Sequence, residues 1–129
     1  VDAAVLAVAL ADDGPDGDAA RARLTADPAL HAPHLLDLEV LSMLRRQAGA
    51  DLLDQRRVGL AIRDLVDLPI VRYPHLPFAW RLWELRDNLT PYDAAYVALA
   101  EALDCALVTG DGRLARAPGV RCTVEVLRP

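Results

Sequence analysis

Apolar positions along the chain fall into short helical blocks separated by brief β-prone runs. Val1 to Ala4 reads as the end of a first strand that runs into an apolar helix over Ala4 to Ala11, and Asp12 to Gly17 (DDGPDG) reads as a turn-rich loop. A short amphipathic helix is expected from Asp18 to Ala26, a short strand over Leu30 to Ala32, and a mostly buried helix from Leu35 to Gln47, ended by Gly49. From Asp51 to Val66 the apolar residues Leu52, Leu53, Leu60, Ile62 and Leu65 recur with helical period. Prolines bracket a strand over Pro69 to Pro74, and Pro77 to Arg86 predicts a helix carrying Phe78, Trp80 and Trp83. Thr90 opens another helix reaching about Leu103, and Cys105 to Val108 forms a strand. After the Thr109-Gly110-Asp111-Gly112 turn come a short helix over Arg113 to Ala117 and a last strand over Arg121 to Val126. Strands and helices alternate throughout, which predicts a three-layer α/β fold with a parallel sheet. At 129 residues the chain fits one domain, spanning residues 1–129.

Composition narrows the chemistry. All 14 cationic residues are Arg and none is Lys, while 15 of the 19 acids are Asp. The missing Lys excludes a Walker-type phosphate loop, a Schiff-base mechanism and phosphorelay sites that use a Lys. Cationic work falls to Arg, which suits bidentate contacts with phosphate or carboxylate. A net charge of −5 argues against a protein that coats nucleic acid, but not against an enzyme that meets phosphate through a bound metal. No apolar run approaches the ~20 residues of a membrane span, and no signal peptide is visible. Cys105 and Cys122 lack metal-ligand spacing and are expected to be buried and reduced, which suits a cytoplasmic protein.

In a parallel sheet, ligands bind beyond the C-terminal ends of the strands. Four acids are expected on that edge: Asp2 at the end of strand one, Glu39 in the opening turns of the helix after strand two, Asp93 in the first turn of the helix before strand four, and Asp111 just after strand four. Their mutual repulsion is costly, and a divalent cation with oxygen ligands relieves it. Each acid also has a structural reading. Asp93 closes a near capping box, Thr90-Pro91-Tyr92-Asp93; Asp111 could serve a turn; Asp2 could cap the next helix. Glu39 sits on an apolar helix face between Leu35, Leu36 and Met43, so it requires a metal, a proton or an Arg such as Arg46. His31 and His34 lack further ligands for a zinc set, and Trp80 and Trp83 read as core or interface residues rather than base-stacking platforms. Arg45, Arg46, Arg86, Arg113 and Arg116 are expected to be mostly solvated, with one or two available to hold substrate phosphates.

The opening VDAAVL, the middle LLDLEVLSMLRR and above all NLTPYDAAYVALAEALDCALVTGDGRLARAPG resemble PIN-domain ribonucleases, and most closely the VapC toxins of bacterial toxin–antitoxin modules. The resemblance runs over nearly the whole chain. It implies a mostly parallel sheet of about five strands flanked by helices, and a Mg²⁺- or Mn²⁺-dependent endoribonuclease. Asp2, Glu39, Asp93 and Asp111 match the family's four acids, catalytic and metal-holding alike, and Thr109 matches the Ser or Thr that supports them through a hydrogen bond. Two departures stand out. Ala4 replaces a frequent Ser or Thr, and only Val1 precedes Asp2 where the family has several apolar residues, so strand one is expected to be clipped unless leading residues are missing. These departures leave open a catalytically weak, PIN-like module that binds RNA or protein. The resemblance further implies a homodimer and a VapB-type antitoxin, whose C-terminal segment would lie in a groove supplied by the first helix (Val5, Leu6, Val8, Leu10) and the Leu52 to Leu65 helix.

Overall fold

The computed structural model describes residues 1–127. Seven helices and four strands succeed one another among these residues: α1 (Ala3–Ala11), α2 (Pro15–Thr25), β1 (Leu30–Pro33), α3 (Leu35–Gly49), α4 (Gln55–Asp67), β2 (Ile70–Tyr73), α5 (Ala79–Glu84), α6 (Pro91–Leu103), β3 (Leu107–Thr109), α7 (Gly112–Arg116) and β4 (Val124–Val126). A single 3-10 turn, Leu76–Phe78, leads into α5. The three-layer α/β arrangement expected from the sequence is present. Helix α1 packs with α2, α3 and α4 as one helical group, while α6 packs with α5 and rests on β1 and β3.

The sheet differs from the expected five strands. Four strands form two parallel pairs, β1 with β2 (Leu30 opposite Ile70) and β3 with β4 (Leu107 opposite Val124). The dipeptide Val1–Asp2 lies between the pairs. The Asp2 amide donates to the Val108 carbonyl at 3.0 Å, and the Val1 nitrogen reaches the His31 carbonyl at 3.5 Å. Those two residues stand in for the expected Val1 to Ala4 strand, because Asp2 caps α1 and commits Ala3 to helical geometry at once. The resulting order is β2-β1-(Val1–Asp2)-β3-β4, with each strand pair parallel.

Several boundaries moved for local reasons. Gly49 ends α3 as its last residue, so the helix runs slightly past the expected Gln47, and the left-handed residue beyond it is Asp51, with φ of 58°. Helix α4 begins only at Gln55, since the Asp54 carboxylate accepts from the Arg57 amide at 2.8 Å and fixes the start there. Trp80 and Trp83 are not core residues; they are 83% and 61% exposed, and the Arg86 guanidinium stacks over the Trp83 ring. Cys105 is exposed and Cys122 half-buried, so the expectation of two buried thiols does not hold; both are free. The core instead rests on small residues. Every side chain from Ala94 to Ala100 in α6 is buried, and its four alanines let the helix sit close against the strands.

Helix α1 ends against two guanidiniums. Arg21 donates to the carbonyls of Ala9 and Asp12 at 2.9 and 2.8 Å, and Arg57 donates to that of Leu10 at 2.7 Å, satisfying acceptors that have no helical partner. Closing this end brings α2 tight against the α1–α2 loop. A Cβ on Gly17 would stand 1.8 Å from the Asp12 carbonyl oxygen. Gly17→Ala should therefore reverse the usual helix preference, which favours Ala by about 0.5–1 kcal/mol. Overpacking here should destabilise the fold by roughly 1–3 kcal/mol. Urea unfolding of the two proteins measures the sign.

Candidate active site

Asp2 sits immediately before α1 in an extended conformation, and one carboxylate oxygen accepts from the Val5 amide at 3.0 Å. Its other oxygen accepts from the Thr109 hydroxyl, which is fully buried at the end of β3. The same hydroxyl oxygen accepts from the Asp111 amide at 3.0 Å. Thr109 thus ties together two acids that lie 109 residues apart in chain order. Asp111 caps α7, accepting from the Arg113 amide at 2.9 Å. The Arg113 guanidinium folds back onto the carboxylate, with Nη2 at 2.7 Å from Oδ2.

Asp93 is the third residue of α6. Thr90 caps that helix by accepting from the Asp93 amide at 3.2 Å, and Pro91 occupies the first helical position, where no amide is needed. The capping reading of Asp2, Asp93 and Asp111 is therefore correct as local structure, yet it does not exhaust them. All three cap or open helices whose positive ends face one place, which favours carboxylates there. Glu39 joins them from the second turn of α3. Its Oε1 accepts from the Tyr96 hydroxyl at 2.6 Å, so the partner is neither Arg46 nor another Arg.

The four carboxylates line one pocket of about 220 Å³, walled also by Ser42, Met43 and Arg46 of α3, by Tyr96 of α6 and by Leu114 of α7. Burial, then the nearby charges of Asp111 and Asp2, push the Asp93 carboxyl above the usual aspartate range, with Arg113 opposing. Asp111 moves the other way because Arg113 hydrogen-bonds it. Burial and the Glu39 carboxylate push the Tyr96 hydroxyl up, so it stays protonated as the donor. Among the described residues, no three His, Cys, Asp or Glu side chains stand close enough to share one ion as they are. Asp2, Glu39 and Asp111 each give at least one oxygen to Val5, Thr109, Tyr96 or Arg113. The donor set is nonetheless all oxygen, as Mg²⁺ and Mn²⁺ prefer, and no hydrogen bond engages Glu39 Oε2 among the described residues.

Tyr96 went unread in the sequence, although a signal was there. A Tyr in the all-apolar stretch after Asp93 must bury its ring while its hydroxyl finds a partner. His31 has a structural partner: its Nδ1 lies 2.8 Å from the Tyr73 hydroxyl across the β1–β2 pair. His34 precedes α3 without a side-chain cap bond.

The raised Asp93 carboxyl has a thermodynamic consequence. Its folded pKa exceeds the unfolded value of 3.8, so the native state binds more protons and ionising Asp93 destabilises the metal-free fold. Asp93→Asn should raise the thermal midpoint in EDTA at pH 7, and the gain should vanish as pH falls below 3.8. Thermal melts across pH in the two proteins check this.

Comparison with known proteins places this geometry in context. The PIN domain family matches residues 1–120. The chain is 44% identical over 128 residues to VapC ribonuclease Mb0985 of Mycobacterium bovis, covering 98% of this chain and 96% of that protein. It is 45% identical over 129 residues to ribonuclease VapC1 of Mycobacterium tuberculosis, covering 99% and 96%. Ribonuclease VapC12 of the same species is 36% identical over 113 residues, covering 88% and 87%. Sequence, layer order and relatives agree: the chain belongs to the PIN-domain family, within its VapC branch.

Proposed function

We propose that this protein is a metal-dependent endoribonuclease, the toxin of a type II toxin–antitoxin module, in which Asp2, Glu39, Asp93 and Asp111 hold Mg²⁺ or Mn²⁺. One observation carries the reading: four carboxylates from four separate segments line a single pocket, an arrangement that is costly unless a cation occupies it. Ribonuclease names among relatives that match nearly the full chain support the RNA substrate. When bound, the ion supplies electrophilic assistance at a phosphodiester and an acidified water.

The chain's own groups prepare that chemistry. Tyr96 holds one oxygen of Glu39, which fixes the carboxylate's orientation and leaves the second oxygen for a ligand. Thr109 and the Val5 amide together fix both oxygens of Asp2 and so its orientation. Asp93 is a carboxyl whose ionisation burial and its acidic neighbours oppose, which favours holding a proton there. Arg113 holds the Asp111 carboxylate.

Two assembly readings accompany this one. A pocket of about 400 Å³ between α1 (Ala7, Val8, Ala11) and Leu52–Leu53 supports an antitoxin segment lying along α1. The exposed Leu76, Trp80 and Trp83 around α5 support a homodimer contact. No helix among the described residues is long and apolar enough to cross a membrane, and we place the protein in the cytoplasm with its RNA substrate.

Purified protein incubated with total RNA and Mn²⁺ should create new ends that EDTA suppresses, and Asp93→Asn should reduce cleavage roughly 100-fold or more with the fold retained. Cleavage at the unaltered rate in that variant would overturn the assignment of the site. RNA binding that persists in EDTA, with no cleavage under any metal, would favour a binding module.

A further inference from the structure

We propose that Arg46 is the substrate-phosphate grip of this site, holding an RNA phosphate next to the one that is cleaved; the inference rests on the ribonuclease reading above. Helix α3 presents Glu39, Ser42, Met43 and Arg46 to the acid-lined pocket, at spacings of three, four and seven residues that put them on one helix face. Seven residues correspond to a rise of about 10 Å, so the guanidinium sits two turns beyond the carboxylate. Arg46 therefore stands at the outer end of the wall that carries Glu39.

Its lack of a partner is the telling feature. Four carboxylates line the same pocket, yet Arg46 makes no ion pair or side-chain hydrogen bond among the described residues. Arg113, beside the acids, is committed to Asp111 through contacts from both Nε and Nη2, and Arg116 acts on Asp111 only through its charge and is not among the residues that line the pocket. Arg21, Arg23, Arg57, Arg72 and Arg81 are likewise engaged with carboxylates elsewhere. Arg46 is thus an exposed guanidinium at the pocket with all its donors available. A chain of net charge −5 that draws a polyanion into a carboxylate pocket needs such a cation, since metal at the centre does not neutralise flanking phosphates. The planar fork of Arg matches phosphate oxygens in a bidentate way that Lys does not reproduce. Ser42, between Glu39 and Arg46 on the same face, adds a hydroxyl for the same strand.

The test separates binding from cleavage. In the Asp93→Asn background, the affinity for a short single-stranded RNA is measured with Mg²⁺ over a range of salt, with and without Arg46→Ala. Arg46→Ala should weaken binding about tenfold and flatten the log–log salt slope by about 0.7, the loss of one phosphate contact to a single strand. In the otherwise unaltered enzyme, Arg46→Ala should raise KM more than it lowers kcat, and Arg46→Lys should recover part of the loss. Mn²⁺ affinity by calorimetry should be unchanged in both Arg46 variants. Equal RNA affinity and salt slope with and without Arg46 would overturn the proposal, and so would a loss of Mn²⁺ affinity that accounts for the whole defect. If the unaltered protein cleaves RNA while Arg46→Ala matches it in every measure, this inference falls alone. If the unaltered protein cleaves no RNA with Mn²⁺, the ribonuclease reading falls and takes the inference with it.

Discussion

The buried hydroxyl of Thr109 donates to Asp2 and accepts from the backbone of Asp111, joining the start of the chain to the end of β3 and the cap of α7. Much of the architecture depends on that small junction. Val1–Asp2 occupies the gap between the two strand pairs with one backbone hydrogen bond to β3 and one longer contact to β1. The Asp2 side chain is fixed by Thr109 on one oxygen and by the α1 backbone on the other. The same bonds that seat the dipeptide also set the direction of a carboxylate in the pocket.

Charge is the second organising constraint. The pocket gathers four acids, and the fold offsets their repulsion in three physically distinct ways. Helix N-termini from α1, α6 and α7 present unsatisfied amides and positive dipole ends. Neutral hydroxyls from Tyr96 and Thr109 donate to individual carboxylates without adding charge. Arg113 neutralises Asp111 directly. The Asp93 carboxyl is still held above the usual range, first by burial and then by the charges of Asp111 and Asp2. That residual strain is what a divalent cation is suited to remove. Away from the pocket the acids are handled by ordinary ion pairs, such as Arg72 with Asp37 and Arg81 with Glu101.

Much of this was legible from residue types and spacing. Alternating apolar blocks specified the layer class, and the order of acids along the chain placed Asp2, Glu39, Asp93 and Asp111 on one sheet edge. Thr-Pro-Tyr-Asp announced the start of α6 because each residue type suits its capping position. Other features were not legible because they depend on what meets what. Asp51 and Asp104 adopt the left-handed conformation, where glycine is the usual signal. The two tryptophans looked like packing residues by periodicity, but α5 turns that face to solvent. By sequence Glu39 required a metal, a proton or an Arg such as Arg46. Its partner is Tyr96, 57 residues away on another element.

Sequence alone therefore determined the chemistry available: four oxygen-donor acids in a fixed order, Arg as the sole cationic side chain, and helix caps written into local triplets and quartets. Those properties are local, since capping, periodicity and side-chain identity need only near neighbours. Tertiary structure decided which acid is relieved and which is strained, and which Arg is engaged and which is free. Such outcomes follow from distances between elements remote in sequence, because Coulomb forces and burial act through space rather than along the chain.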